Sequence, residues 1–201
     1  MMEIIKGFIV LEGLDGAGTT TQKERLEKEL GKRGYDIWST AEPTSSDIGR
    51  LIRRVLKGDL AVPELTLAHL FAADRADHIY GCCGIIENIE NGKIVISDRY
   101  FYSTLAYQSF NIGLEKIAEI NDFPHPEYLI FIDTDPKTCI ERIEKRGGEK
   151  EIYEKESLLK KIRENYLKAF SLLPEDVKFI TIDGSLSIEE TTKRILSSLS
   201  F

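Results

Sequence analysis

Short apolar runs about five residues long alternate along this chain with longer stretches whose apolar positions recur every three or four residues. The short runs are 8–12, 36–39, 94–97, 128–132 and 178–182. Their β-branched and aromatic content suits strands buried on both faces. The longer stretches, 19–32, 48–57, 64–90, 136–146, 157–172 and 188–199, predict helices. Asp135-Pro136 marks the start of one of them. There a capping carboxylate precedes a proline whose missing N–H costs nothing at the first helical position. Strands alternating with helices along the chain predict an α/β fold, a parallel sheet covered on both sides. Ligands of such sheets bind at the carboxyl ends of the strands. Asp15, Asp98 and Asp133 all fall there.

No repeat, low-complexity tract or linker divides the 201 residues, so a single domain over 1–201 is expected. A net charge of −7 argues against sequence-independent nucleic-acid binding, which needs a basic face, but leaves room for a local basic cleft. No apolar run approaches membrane-spanning length. The start, Met1-Met2-Glu3-Ile4-Ile5-Lys6, lacks a cationic segment followed by a long apolar one, so no signal peptide is expected. Cys82, Cys83 and Cys139 give an odd count without disulfide or zinc spacing. A cytoplasmic protein is expected. Cys82-Cys83, between Gly81 and Gly84 within the 64–90 helix, reads as a pair of small packed residues. His69, His78 and His125 have no metal-ligand arrangement and read as packing or surface residues.

The first strand leads into Gly13-Leu14-Asp15-Gly16-Ala17-Gly18-Thr19-Thr20-Thr21, and a helix leaves it. This is the layout of a phosphate-cradling loop, whose pattern is G-x-x-x-x-G-K-[ST]. Gly13, Gly18 and Thr20 occupy their places, and the lysine position holds Thr19. Glycines let backbone N–H groups converge on phosphate oxygens, and the helix N-terminus adds partial positive charge. Thr20 supplies a hydroxyl where the pattern wants a magnesium ligand.

Four further constellations carry chemistry. Asp98-Arg99 directly follows the strand 94–97. Such a carboxylate can hold magnesium or accept a proton, and such an arginine can fork onto phosphate. Thr104, Tyr107 and Gln108, at i, i+3 and i+4, share one helix face. Phe71 and Arg75, four apart, offer an aromatic face and hydrogen-bond donors for a flat heterocycle, or simply a core residue beside a surface one. Arg50, Arg53 and Arg54 follow the Glu42-Pro43 turn on a basic helix, positioned for a second phosphate or merely solvated. Arg142 and Arg146 share a helix face that ends in Gly147-Gly148, so a mobile lid over about 142–154 is expected there, against the alternative of hydrated surface.

Together these motifs, from Lys6 to Ser198, resemble the thymidylate kinases. The resemblance implies a P-loop NTPase-type three-layer sandwich. Its sheet would have five parallel strands in the order 2-3-1-4-5, helices on both faces and a small lid. It also implies a homodimer that transfers phosphoryl from Mg-ATP to dTMP, with ATP and Mg2+ as cofactors and no nucleic-acid or membrane partner. By that likeness, residues 13–21 wrap the ATP phosphates, and Thr20 and Asp98 serve the metal. Asp15 borders the acceptor, Phe71 stacks on thymine and Arg75 donates to its O4. Thr104 and Gln108 lie near the base and Tyr107 beside the sugar, while Arg53 and Arg99 bind the dTMP phosphate. Gly16 stands where some members carry a catalytic arginine, which makes Arg142 and Arg146, with Asp98 and Arg99, the catalytic candidates.

The chain departs from the family pattern in three places. Thr19 replaces the loop lysine, Ala41 replaces a basic residue, and Thr44-Ser45 replaces a glycine pair. A neutral loop beside a basic flap suggests that a lid cation, Lys150, Lys145 or Arg146, supplies the absent charge on closure. The alternatives in function are a kinase for dUMP or UMP, or a nucleotide binder with weak or no turnover.

Overall fold

Five strands, all parallel, form one sheet in the order β2-β3-β1-β4-β5 in a computed structural model that describes residues 3–147, 152, 153 and 155–200. In chain order the elements open with β1 (Ile4–Gly13), α1 (Thr19–Lys32), β2 (Ile37–Ala41), α2 (Asp47–Leu56), α3 (Glu64–Tyr80) and α4 (Ile85–Glu90). Next come β3 (Ile94–Asp98), α5 (Phe101–Tyr107), α6 (Ser109–Ile112), α7 (Leu114–Ile120) and β4 (His125–Asp133). The last are α8 (Pro136–Arg146), α9 (Glu156–Phe170), β5 (Lys178–Asp183) and α10 (Ile188–Ser198). The strand order is the one that the family resemblance implied.

The core lies on both faces of the central strands. Phe8, Ile9, Val10 and Leu11 of β1, Val95 and Ile96 of β3, and residues Tyr128 to Phe131 of β4 are wholly inaccessible. Two covered faces explain why these runs are continuously apolar rather than alternating. A smaller cluster of Ile52, Val55, Leu56 and Leu67 joins α2 to α3, with Phe71 and Tyr153 packed at its margin. That satellite backs one wall of the cleft described below.

Several elements depart from the sequence reading. β1 starts four residues before the expected Phe8, and its first residues pair with His125 and Pro126 of β4 across a register shift between Ile5 and Ile9. Gly7 takes a positive φ of 76° at this irregularity, and its N–H donates to Glu127 Oε2 at 2.8 Å. A glycine inside an apolar run hides such a bulge from pattern reading. β5 is an edge strand with Phe179 39% exposed, not one buried on both faces. The helix expected over 64–90 is two helices. The chain breaks at Gly81, where an added Cβ would sit 2.4 Å from Asp77 O. Cys82 and Cys83 therefore occupy an exposed turn, with Cys83 at φ 60°, and are not packed within a helix. Their Sγ atoms lie 3.6 Å apart near Glu87, whose carboxylate accepts from the Cys83 N–H. His78 and His125 are buried and His69 is exposed. Asp135 caps α8 as expected, accepting from Lys137 and Thr138 N–H groups. No helix of the described residues is long and apolar enough to cross a membrane.

Candidate active site

The loop between β1 and α1 turns through glycines that have no substitutes. Gly16 and Gly18 sit at φ 85° and 102°, and a Cβ on Gly16 would lie 2.6 Å from Cys139 O. Gly18 is the N-cap of α1, with no side-chain cap and no acidic residue in the first turn. The first N–H groups of a 14-residue helix thus keep their hydrogen-bonding capacity for an anion. Thr19 is buried, and its Cγ2 lies against Gly13, at 3.1 Å from where a Cβ there would sit. Its methyl packs the loop where the pattern would extend an ammonium.

Thr20 donates its hydroxyl hydrogen bond to Asp98 Oδ2 at 2.5 Å. The other carboxylate oxygen, Asp98 Oδ1, is buried and has no hydrogen-bond partner. A hydroxyl and a half-satisfied carboxylate at the mouth of a phosphate loop are the oxygen donors that a hard divalent cation takes. The adjacent Arg99 has a φ of 73° and its N–H is held by Leu11 O, which turns its side chain back across the loop. The guanidinium donates to Asp15 Oδ1 at 2.5 Å, Gly13 O at 2.9 Å, and Ser103 Oγ and Tyr166 Oη at 3.2 Å. Burial works against its charge, but Tyr107, Asp15, Tyr166 and Asp98 outweigh that, so Arg99 titrates well above the ordinary arginine range. Beneath it, Glu12 is wholly inaccessible and accepts from Tyr100 N, Ser103 N, Ser103 Oγ and Tyr166 Oη. Burial raises its pKa to about 7, against the lowering effects of Arg99 and these bonds.

One cleft, of about 220 Å³, is walled by α2, α3 and α5. Phe71 and Arg75 of α3 line it, as do Arg53 of α2 and Thr104, Tyr107 and Gln108 at the end of α5. Arg75 is 1% exposed, and its donors are largely committed. Nε and Nη2 donate to Glu42 Oε2 at 2.9 and 2.6 Å, Nη2 to Thr104 Oγ1 at 3.2 Å, and Nη1 to Asn121 Oδ1. Five N–H groups less these four leave one Nη1 hydrogen for an acceptor in the cleft. Glu42 Oε1 lies 3.0 Å from His78 Nδ1, whose other ring nitrogen meets Thr40 Oγ1 at 2.7 Å. Tyr107 Oη accepts from Asp15 N at 3.2 Å, and burial, followed by the Asp15 charge, raises its pKa well above the phenol range. Arg53 donates to the carbonyls of Pro43 and Thr44.

A second cleft, of about 480 Å³, is lined by residues 15, 16 and 18–21 with Arg99, Arg142 and Arg146. Asp15 and Arg99, joined by an ion pair, line both clefts, which therefore adjoin. Arg142 lies beneath the loop, donating to Gly16 O, Ala17 O and Gly184 O at 3.4, 3.2 and 2.9 Å. Arg142, Lys145 and Arg146 of the expected lid are the last turns of α8. Lys150 lies outside the described residues. Tyr153 reaches the first cleft, accepting from Gln108 Nε2 at 3.0 Å and meeting the Tyr107 ring edge-on at 5.2 Å. Glu42, Asn121 and Tyr153 were not assigned from sequence. Glu42 has a signal in the adjoining Pro43, whereas Asn121, at the end of α7, has none in its neighbours.

A family model for thymidylate kinase matches residues 11–195, which takes in both clefts. Relatives carried under the name "Probable thymidylate kinase" include one from Thermococcus onnurineus, 43% identical over 84% of this chain and 86% of its own. Another, from Pyrococcus horikoshii, is 40% identical over 84% of each. A third, from Methanocaldococcus jannaschii, is 37% identical over 96% of this chain and 95% of its own. With a family model matched over residues 11–195 and relatives about 40% identical over most of its length, the chain belongs to the thymidylate kinase family.

Proposed function

We propose that the protein transfers the γ-phosphoryl group of Mg-ATP to dTMP, giving ADP and dTDP, as a single kinase domain with a lid at about 142–154. The observation that carries this reading is the common wall of Asp15 and Arg99 between the two clefts. An acceptor phosphate oxygen in one cleft then faces the γ-phosphorus in the other. The new P–O bond forms as the bond to the β–γ bridging oxygen breaks, and that oxygen leaves with ADP. In-line transfer of this kind asks the protein mainly for positioning and charge. Residues 13–21 hold the donor phosphates through backbone N–H groups, and Arg53 and Arg99 hold the acceptor phosphate. Phe71 stacks on the base, and the remaining Nη1 hydrogen of Arg75 meets an acceptor oxygen such as thymine O4. Cytosine presents an amino donor at that point, leaving two buried donors facing each other, a mismatch that can cost about 10⁴-fold where a site is built for hydrogen bonding. Thr104 and Gln108 flank the base, and Tyr107 crowds the sugar.

Thr20 and Asp98 are the residues that would hold Mg2+, which when bound neutralises charge on the transferring phosphoryl. Arg142 and Arg146 line the donor cleft beside the neutral Thr19, and with Arg99 they supply the positive charge that a lysine would give, while Asp98 is the carboxylate of the catalytic set. Arg146, at the open end of α8, is the lid cation of this reading. The cytoplasm and a homodimer are its setting, on the strength of the family likeness alone. The test is a coupled ADP-release assay with Mg-ATP and dTMP, dUMP, UMP or dCMP, run beside Arg146→Ala. Preference for dTMP is expected, with kcat lowered roughly a hundredfold or more in the variant. Preference for dCMP, or nucleotide binding without ADP release, would overturn the reading.

A further inference from the structure

Asp74 stands between Phe71 and Arg75 on α3, yet its carboxylate bonds to neither. It is 1% exposed, and no ion pair among the described residues includes it. All its bonds run to one loop. Oδ2 accepts from Thr44 N at 2.7 Å, and Oδ1 accepts from Thr44 Oγ1 at 2.5 Å and Ser46 Oγ at 3.0 Å. A buried carboxylate that gives up solvent for three donors on a single turn fixes that turn in place.

The turn leads directly to Arg53. The carbonyls of Pro43 and Thr44 accept the two terminal nitrogens of the Arg53 guanidinium, and Arg50 reaches Ser45 O at 2.7 Å. Ser46 also caps α2, the helix that carries Arg53, accepting from Gly49 N at 3.1 Å. Both ends of the Arg53 side chain, its backbone on α2 and its guanidinium on the turn, therefore depend on the geometry that Asp74 sets. Thr44 and Ser45 stand where the family resemblance puts a glycine pair. A glycine at position 44 has no hydroxyl to offer the carboxylate, so this chain carries a tie that the glycine form lacks.

We infer that Asp74 is a positioning residue for the acceptor phosphate: through Thr44 and Ser46 it ties the base-reading helix α3 to the phosphate-reading arginine of α2. The inference rests on Arg53 being an acceptor-phosphate ligand. Base and phosphate of the acceptor are then gripped at a fixed separation, which favours an acceptor of one length over a bare nucleoside or a diphosphate.

The experiment is steady-state kinetics with dTMP and ATP, together with equilibrium binding of dTMP and of thymidine, on Asp74→Asn, Thr44→Val, Thr44→Ser and Arg53→Ala. Asp74→Asn is expected to raise KM for dTMP about tenfold, the scale of one charge-assisted phosphate contact. KM for ATP and the affinity for thymidine, which has no phosphate, should stay within twofold. Thr44→Val leaves the buried carboxylate intact and should show the same split at about threefold, whereas Thr44→Ser restores it. Adding Asp74→Asn to Arg53→Ala should change KM for dTMP no further. Thymidine affinity falling in step with dTMP affinity would overturn the inference, because Asp74 would then be serving the base pocket. So would multiplying effects in the double variant. An Arg53→Ala protein with unchanged KM for dTMP would instead remove the phosphate role of Arg53 itself, an outcome separable from the others.

Discussion

Glu42 shows how one side chain holds a buried arginine in a fixed plane. The arginine and the glutamate are both all but inaccessible, and a charge of either sign alone in that place would be severely penalised. Glu42 answers two Arg75 donors through Oε2 and His78 through Oε1, which fixes the plane of the guanidinium. Glu42→Gln keeps the shape but removes the counter-charge. Removing one member of a buried pair typically costs about 3 kcal/mol or more. Denaturant unfolding is expected to register a loss of that size, with a rise in KM for dTMP. A stability change under about 0.5 kcal/mol, the range of ordinary surface substitutions, would show that the pair is not what holds Arg75.

Among elements, α2 is positioned by close backbone approach rather than by side-chain bulk. A Cβ on Gly49 would lie 2.0 Å from Thr44 O and 2.7 Å from Thr44 C, and backbone atoms there have no room to retreat. Gly49→Ala should cost about 2 kcal/mol, in the range of forced overpacking, and raise KM for dTMP more than KM for ATP. Equal effects on both substrates would mean that α2 does not report on the acceptor side alone. This contact also marks where sequence reading stops. The strands of the sheet and the helices α1, α8 and α10 were legible because period, capping residues and glycine turns agree locally, as Gly13, Gly18, Thr20 and Asp135 do. Phe71, Arg75 and Asp98 were legible as a family pattern. The bulge at Gly7 and the roles of Asn121, Asp74 and Glu42 were not, because each is decided by a partner dozens of residues away; the break at Gly81 turns on a local backbone contact with Asp77 that apolar periodicity does not register. Thr19 was visible as a departure, but that its methyl packs against Gly13 was not.

Across the whole molecule, Glu12 couples stability to the state of the site. It sits on β1 and joins the start of α5, through Tyr100 and Ser103, to Tyr166 of α9. Its pKa is raised by burial from 4.5 to about 7, so the native state holds a proton that the unfolded chain has lost over that interval. Where the native state binds more protons, stability falls as pH rises. The Glu12 contribution is thus fully present below about pH 4.5, declines between there and pH 7, and is gone above it. The span of about 2.5 pKa units corresponds to a ceiling of about 3 kcal/mol. Glu127, Asp183 and Glu190, whose pKa values are lowered, act in the opposite sense, so the informative quantity is a difference. Unfolding free energy of the wild type minus that of Glu12→Gln, measured from pH 4.5 to 8, should decline by up to about 3 kcal/mol and level off near pH 7. Parallel profiles would remove Glu12 from the account. The same proton touches the phosphate loop. Oε1 accepts from two backbone N–H groups, so protonation falls on Oε2, where one of two hydroxyls must turn to accept. Tyr166 has somewhere to turn: its oxygen lies 3.2 Å from Gly13 O, the carbonyl that Arg99 also uses. Acidification through pH 7 therefore commits the Tyr166 hydroxyl to Gly13 O beside Arg99, and KM for dTMP is expected to change in that window in the wild type and not in Glu12→Gln.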